Sequence, residues 1–153
     1  QAHLSLSEQI KAHSCERVYQ AVVYGRMKEG EGRVDAPIGR NPMERKEMCV
    51  IAKNSKEAVT NYRVLQEYEG FSHLELRLET GRTHQIRVHM AYLGHPVAGD
   101  PVYGPKKVIK SLEGQCLHAK SIAFNHPVTG ERMRFDSELP SYFTDFLRTL
   151  RPL

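Results

Sequence analysis

The sequence predicts an α+β domain, in which a mostly antiparallel sheet carries helices on its faces. Most of its apolar segments are short, rich in β-branched and aromatic residues and bounded by turn residues, as strands are. Two segments, residues 83–94 and 140–150, instead repeat their apolar residues at helical spacing. This strand-rich order, interrupted by helices, favours an antiparallel sheet over a helical bundle.

The N-terminal third of the chain predicts one short helix followed by strands. Residues 4–10 have the apolar spacing of a helix that ends before Ser14, and residues 17–25 then change to a strand pattern. A turn at residues 28–32 leads to a short return strand at residues 34–38.

A polar, basic connection at residues 39–46 precedes a short strand at residues 48–51. Residues 59–65 and 71–78 predict an antiparallel pair that turns at Gly70. In the second of these, leucines alternate with polar residues, which indicates a strand with one buried face. The pair leads directly into the central helix.

The central helix is expected to begin at Thr83, a good capping residue, and to end at Gly94. Arg82 and Arg87 lie near its first turns. Because a helix N-terminus exposes N–H donors and a positive dipole end, these two arginines predict an anion site.

Three elements complete the predicted fold. Residues 117–125 and 132–135 form a second strand pair around a turn-rich hairpin. Residues 140–150 form an amphipathic helix that packs on the sheet.

The composition excludes several classes of protein. A length of 153 residues, with 40% hydrophobic and 26% charged residues, suits a single soluble domain, and no apolar run is long enough to span a bilayer. Three widely spaced cysteines favour neither a disulfide framework nor a paired-cysteine zinc site, which fits a cytoplasmic protein. The net charge of +4 favours a polyanionic partner.

Because the sequence begins at Gln1, within a polar segment that has no helix cap, we expect these residues to be part of a larger protein.

Neither a metal site nor a serine or cysteine nucleophile is predicted. His84 and His89 are five residues apart and would point away from each other on a helix, whereas zinc helices use a spacing of four.

Asp100 leaves two interpretations open. It is either a catalytic carboxylate paired with an arginine or a turn residue that accepts local backbone N–H groups.

The central stretch also resembles a known family. The residues that carry the resemblance are Leu78, Thr80-Gly81-Arg82-Thr83-His84-Gln85-Ile86-Arg87-Val88-His89, Gly94-His95-Pro96-Val97, Gly99-Asp100-Pro101 and Tyr103-Gly104. Together they are similar to the signature of the RluA/RluD-type RNA pseudouridine synthases. Further blocks that resemble the family lie at residues 18–25, 32–40, 117–119 and 124–127, so the resemblance covers nearly the whole chain.

The resemblance implies isomerisation of uridine in ribosomal or transfer RNA, without a cofactor, on the α+β fold of that family. It implies that Arg87 pairs with a catalytic aspartate and that Tyr19 lies against the target base. It also implies RNA contacts near the central motif. The residues expected to contact RNA are Arg40, Arg82, Thr83, His84 and Gln85, although a solvated basic loop is an alternative for Arg40 and a structural role for Arg82.

One feature of the family signature is not found in this sequence. The family's catalytic aspartate lies in a Gly-Arg-Leu-Asp motif upstream of the tyrosine block, and no such motif occurs in residues 1–153. We therefore expect a single partial catalytic domain that lacks its N-terminal strands and its nucleophile, and that is inactive alone. The alternative is a non-catalytic RNA-binding module on the same scaffold.

Overall fold

The computed structural model describes residues 8–9, 15–107, 109 and 111–153. Within them it contains nine strands and two helices longer than one turn. The elements are β1 (Glu16–Tyr24), β2 (Glu31–Asp35), β3 (Ile38–Arg40), β4 (Met48–Val50), β5 (Ser55–Lys56), β6 (Val59–Tyr68), β7 (Phe71–Leu78), α1 (Gln85–Tyr92), β8 (Leu117–Asn125), β9 (Arg132–Asp136) and α2 (Ser141–Thr149). The helix predicted at residues 4–10 lies largely outside the described residues.

The strands form two sheets. The larger has the order β2-β6-β7-β1-β8-β9 with antiparallel neighbours throughout, and the smaller has the order β4-β3-β5. This architecture confirms the predicted α+β class. The pairs β6–β7 and β8–β9 also form as predicted.

One strand pairing differs from the prediction. The segment expected to return along β1 divides into β2, which pairs with β6, and β3, which belongs to the smaller sheet. Arg40, predicted within a connecting loop, is the last residue of β3. Local patterns indicate that a strand exists but do not identify its partner, so this non-local pairing was missed.

The two helices pack on opposite faces of the larger sheet. On one face Ile86 and Met90 of α1 belong to the main core cluster together with Ala21 and Leu76. On the other face, Phe143 and Phe146 of α2 join a second cluster. The strand that carries Tyr19 is therefore an inner strand of the larger sheet, and Tyr19 packs against the cluster to which Ile86 and Met90 of α1 belong.

Candidate functional site

The loop that leads into α1 is held by the amide of Gln85, which is only 3% exposed. Its Nε2 donates to the carbonyl of Val59 and to Thr60 Oγ1, both at 2.9 Å. Its Oε1 accepts from Thr80 Oγ1 at 2.7 Å and from the backbone N–H of Arg82 at 3.0 Å. All the hydrogen-bonding positions of this amide are therefore used inside the protein, so the predicted contact between Gln85 and RNA is replaced by a structural role.

The same network fixes the N-cap of the helix one residue later than predicted. His84, not Thr83, is the N-cap, and it has left-handed backbone dihedrals (φ 55°) with no side-chain cap hydrogen bond. The N–H of Arg82 is bound by Gln85, as described above, and is not free to hold an anion. The anion site predicted at the N-terminus of the helix therefore cannot use this N–H, and it stays a prediction.

His89 extends this buried network to the edge of the sheet. Its Nδ1 lies 2.8 Å from Thr60 Oγ1 and its Nε2 lies 2.9 Å from the carbonyl of Ala36. Since Ala36 can only accept, Nε2 carries the proton and Nδ1 accepts from the threonine hydroxyl. Burial lowers the pKa of His89, which keeps the ring neutral.

Arg87 forms a buried two-pronged ion pair with Asp100. Arg87 Nε lies 2.8 Å from Asp100 Oδ2, and Nη2 lies 2.9 Å from Oδ1. Oδ1 also accepts the backbone N–H groups of Val102 and Tyr103, at 2.9 and 3.0 Å. Burial opposes ionisation of Asp100, but the hydrogen bonds from Arg87 and these two N–H groups outweigh it and lower the carboxyl pKa.

This ion pair corrects one expectation. The sequence analysis expected the carboxylate partner of Arg87 to lie outside these residues, and it left Asp100 as either a catalytic carboxylate paired with an arginine or a turn residue. Asp100 instead performs both tasks, since it caps the turn and binds Arg87. The hydrogen bond to Asp100 raises the pKa of the Arg87 guanidinium, although burial opposes this.

Two aromatic rings lie beside the ion pair. The guanidinium carbon of Arg87 lies 5.1 Å from the centre of the Tyr103 ring, within the range of a cation–π contact. The Tyr103 ring in turn meets His84 edge-on, with the ring centres 5.5 Å apart. Tyr103 was part of the sequence motif, but no separate role was predicted for it.

The predicted catalytic residues line one open cleft of about 240 Å³. Tyr19 and Arg87, which are 68 positions apart in the sequence, both line it, together with Arg82 and His84. Its other lining residues are Leu78, Gln85, Ile86, Gln115 and Leu117. The cleft thus combines an aromatic ring and apolar side chains with a few polar groups, an arrangement typical of a small-ligand or base site.

A second, more polar cleft of about 500 Å³ lies on the other side of Arg82. Its lining includes Arg40, Lys56 and Thr83, each of them exposed. Arg40 Nη1 donates to the carbonyl of Arg45 at 2.8 Å, and Arg82 Nε donates to the carbonyl of Glu57 at 2.6 Å. These bonds orient two guanidinium groups along the cleft, and Arg82 lines both clefts.

Arg17 is a further candidate functional residue that the sequence analysis did not identify. With Tyr19, Ile122 and Phe135 it lines a third, mostly apolar cleft of about 320 Å³. Its Nε is buried and has no hydrogen-bond partner among the described residues. A lone basic residue within a strand gives no distinguishing signal, so the sequence alone could not have indicated this residue.

Neither a metal centre nor a membrane span is found in the described part of the chain. No group of three or more histidine, cysteine, aspartate or glutamate side chains there is arranged to hold a metal ion. No described helix combines the length and apolarity needed to cross a bilayer.

Comparisons with known proteins all identify the same family. A family model described as RNA pseudouridylate synthase matches residues 1–92. An uncharacterized RNA pseudouridine synthase, YlyB, of Bacillus subtilis (strain 168) is 47% identical over 98% of this chain and 49% of its own length. Ribosomal large subunit pseudouridine synthase D of Pseudomonas aeruginosa is 42% identical over 99% of this chain and 50% of its own. The chain therefore spans about half the length of these relatives.

A solved structure has the same fold. Human RNA pseudouridylate synthase domain containing 1 superposes with a TM-score of 0.80 and 29% identity, over 97% of this chain and 64% of the human chain. The likeness extends across both sheets and both helices, because nearly the whole chain is matched.

Proposed function

The chain belongs to the RNA pseudouridylate synthase family, and from this premise we propose that it forms part of a cytoplasmic enzyme that isomerises uridine to pseudouridine in ribosomal or transfer RNA. The reaction breaks the glycosidic bond at N1 of uracil and makes a carbon–carbon bond through C5. No cofactor takes part in this proposal. The observation that carries it is the cleft that brings Tyr19, His84 and Arg87 together.

Tyr19 and the apolar walls of this cleft suit a uracil base taken out of the RNA stack. An aromatic face stacks on any base, and Leu78, Ile86 and Leu117 provide further apolar surface. The neighbouring cleft with Arg40, Lys56 and Arg82 would hold the phosphates on either side of that base. The two clefts therefore separate base recognition from backbone recognition.

Asp100 does not serve as the reacting carboxylate in this proposal. It is 1% exposed, and Oδ1 and Oδ2 together accept four hydrogen bonds from Arg87 and the backbone. Such a carboxylate is strongly stabilised as a buried anion and cannot reach a base. We assign the reaction to an aspartate of the complete protein outside residues 1–153, which makes these residues inactive alone.

Arg87 would orient that second carboxylate. Asp100 uses Nε and one N–H of Nη2, while the remaining guanidinium N–H groups have no hydrogen-bond partner among the described residues. Because Arg87 lines the cleft, these free donors suit a carboxylate that approaches the bound base.

The test is single-turnover conversion of uridine in ribosomal RNA by the complete gene product. Base stacking contributes about 1–3 kcal/mol by alanine substitution, so Tyr19→Ala should lower kcat/KM by about 5- to 150-fold. Tyr92→Phe is the matched control, because Tyr92 is 60% exposed on α1 and does not line the cleft. Normal conversion by a folded Tyr19→Ala protein would contradict the proposal.

A non-catalytic RNA-binding module is the second candidate. It is favoured by the described lining of the two clefts, which contains basic side chains but no carboxylate among the described residues. Here the complete gene product would bind RNA in a salt-sensitive manner without converting uridine. Lys56→Ala should weaken RNA binding under either candidate, whereas only conversion of uridine separates them.

A further inference from the structure

The hydroxyl of Tyr103 joins two parts of the site that are distant in sequence. It lies 2.9 Å from the backbone nitrogen of Met48 in β4 and 2.8 Å from His84 Nδ1 at the start of α1. The ring of Tyr103 also packs against the Arg87 guanidinium, as described above. A single side chain thus ties the smaller sheet to the loop and helix that line the 240 Å³ cleft.

The donors and acceptors at this hydroxyl can be assigned. The N–H of Met48 can only donate, so it occupies a lone pair of the Tyr103 oxygen. The single proton of the hydroxyl then needs an acceptor, and His84 Nδ1 is its other partner among the described residues. If Nδ1 itself carried a proton, the tyrosine proton would have no acceptor among the described residues.

The surroundings of His84 agree with this assignment. Three charged or titratable groups face the ring, namely Arg87, Asp100 and Tyr103. Burial and the positive charge of Arg87 lower the pKa of His84, while Asp100 opposes them more weakly. The ring is therefore neutral at pH 7, with its one proton on Nε2. Among the described residues Nε2 has no partner, and His84 lines the cleft beside Tyr19.

We propose that Tyr103 is a positioning residue that holds His84 as the neutral Nε2–H tautomer, so that this N–H donates to a carbonyl oxygen of the uracil base in the cleft. The tautomer assignment stands on the geometry alone, whereas the identity of the acceptor rests on the proposed function. A neutral donor suits a base carbonyl rather than a phosphate, because apolar side chains line this cleft and the exposed cations lie in the neighbouring one.

The first experiment tests the tautomer in the complete gene product without any RNA. Long-range ¹H–¹⁵N correlation spectra at pH 7.5 should show His84 Nδ1 as an unprotonated acceptor and Nε2 as protonated. Tyr103→Phe removes the hydroxyl, and it should shift the Nδ1 resonance and raise the pKa of His84. Tyr92→Phe should change neither. A wild-type spectrum with the proton on Nδ1 would overturn the assignment.

The second experiment tests the contact with the base in the complete gene product. Loss of one hydrogen bond from an ordered site corresponds to about 2- to 13-fold in kcat/KM, which is the decrease we expect for Tyr103→Phe. His84→Asn is the companion variant, because it leaves the bond between Tyr103 and Met48 in place and asparagine tolerates left-handed backbone dihedrals. It should lower kcat/KM at least as much.

The outcomes separate this inference from the proposed function. If neither variant changes kcat/KM for uridine in RNA, the contact between His84 and the base is refuted, whatever the spectra show. If the wild-type product converts no uridine, the proposed function fails. In that case the spectra still decide whether Tyr103 sets the tautomer of His84.

Discussion

Substitution of Asp100 by asparagine should destabilise the chain by about 3 kcal/mol, because it leaves the buried Arg87 cation without its anion. In the wild type, Asp100 Oδ2 accepts from Arg87 Nε at 2.8 Å. In the variant, the asparagine Oδ1 can still accept from Val102 and Tyr103, but an amide NH₂ that cannot accept takes the place of Oδ2. Removing one partner of a buried ion pair costs about 3–5 kcal/mol, and the retained hydrogen bonds place this variant at the lower end of that range.

Thermal unfolding followed by circular dichroism measures this effect. For a domain of this size, 1 kcal/mol lowers Tm by about 2–4 °C, so Asp100→Asn should melt about 6–12 °C below the wild type. Asp136→Asn is the matched control, since Asp136 is an exposed carboxylate paired with Lys120 and Arg134. Exposed ion pairs contribute little to stability, so this control should melt close to the wild type.

The pH dependence provides an independent check. The pKa of Asp100 is lower in the folded chain than in the unfolded chain, so the ion pair stabilises the fold fully above about pH 4. That stabilisation is lost as the pH falls through the folded pKa. The gap in stability between wild type and Asp100→Asn should therefore be constant from pH 7 to 5 and shrink below pH 4. A gap under 1 kcal/mol at pH 7, or one no larger than that of Asp136→Asn, would refute the assigned role of the pair.

Three further predictions concern the fold that supports the site. Gly39→Ala should cost about 1–3 kcal/mol in urea unfolding, because an added Cβ would lie 2.7 Å from the backbone oxygen of Asn54. Gly30→Ala, where the new Cβ meets nothing within 4 Å, should leave stability nearly unchanged, and equal effects would contradict the packing argument. Gln85→Leu should lower the free energy of unfolding by about 3 kcal/mol, because it leaves buried backbone and hydroxyl groups without hydrogen-bond partners. A variant that kept full stability but lost RNA affinity would instead support a direct contact between Gln85 and RNA. Burial lowers the pKa of His73 to about 4, so folding stability should be fully present above pH 6.5 and fall by about 3 kcal/mol between pH 6.5 and 4, a decline that His73→Gln should flatten.

Elements whose pattern is local were predictable from the sequence. The alternation in β7 and the turn at Gly70 specify the β6–β7 hairpin, since register and partner follow from the short connection. Helix α2 was equally readable, because its apolar stripe, with Phe143 and Phe146, packs on the sheet. The pairing of β2 with β6 was not readable, because the choice of a distant partner depends on the whole sheet.

The residues of the candidate site were only partly predictable from the sequence. The resemblance to a known family identified Arg87 in the central motif and Tyr19 in the block at residues 18–25, and the structure places both at one cleft. No local rule indicates that Asp100 binds Arg87, because a turn aspartate has the same sequence context with or without such a partner. Tyr103 was missed for a similar reason, since its bonds to Met48 and His84 depend on how the smaller sheet packs against α1.

The charges around α1 are divided between the two clefts. Arg87 is neutralised by Asp100 and therefore adds rigid N–H donors to the cleft but little net positive charge. Arg82 points its guanidinium to the carbonyl of Glu57, at the boundary with the basic cleft that holds Lys56. A polyanion would thus be attracted mainly to the second cleft, while the first remains suited to a neutral ring. Such a separation is what a protein needs when it must hold a charged backbone and still accept an uncharged base from it.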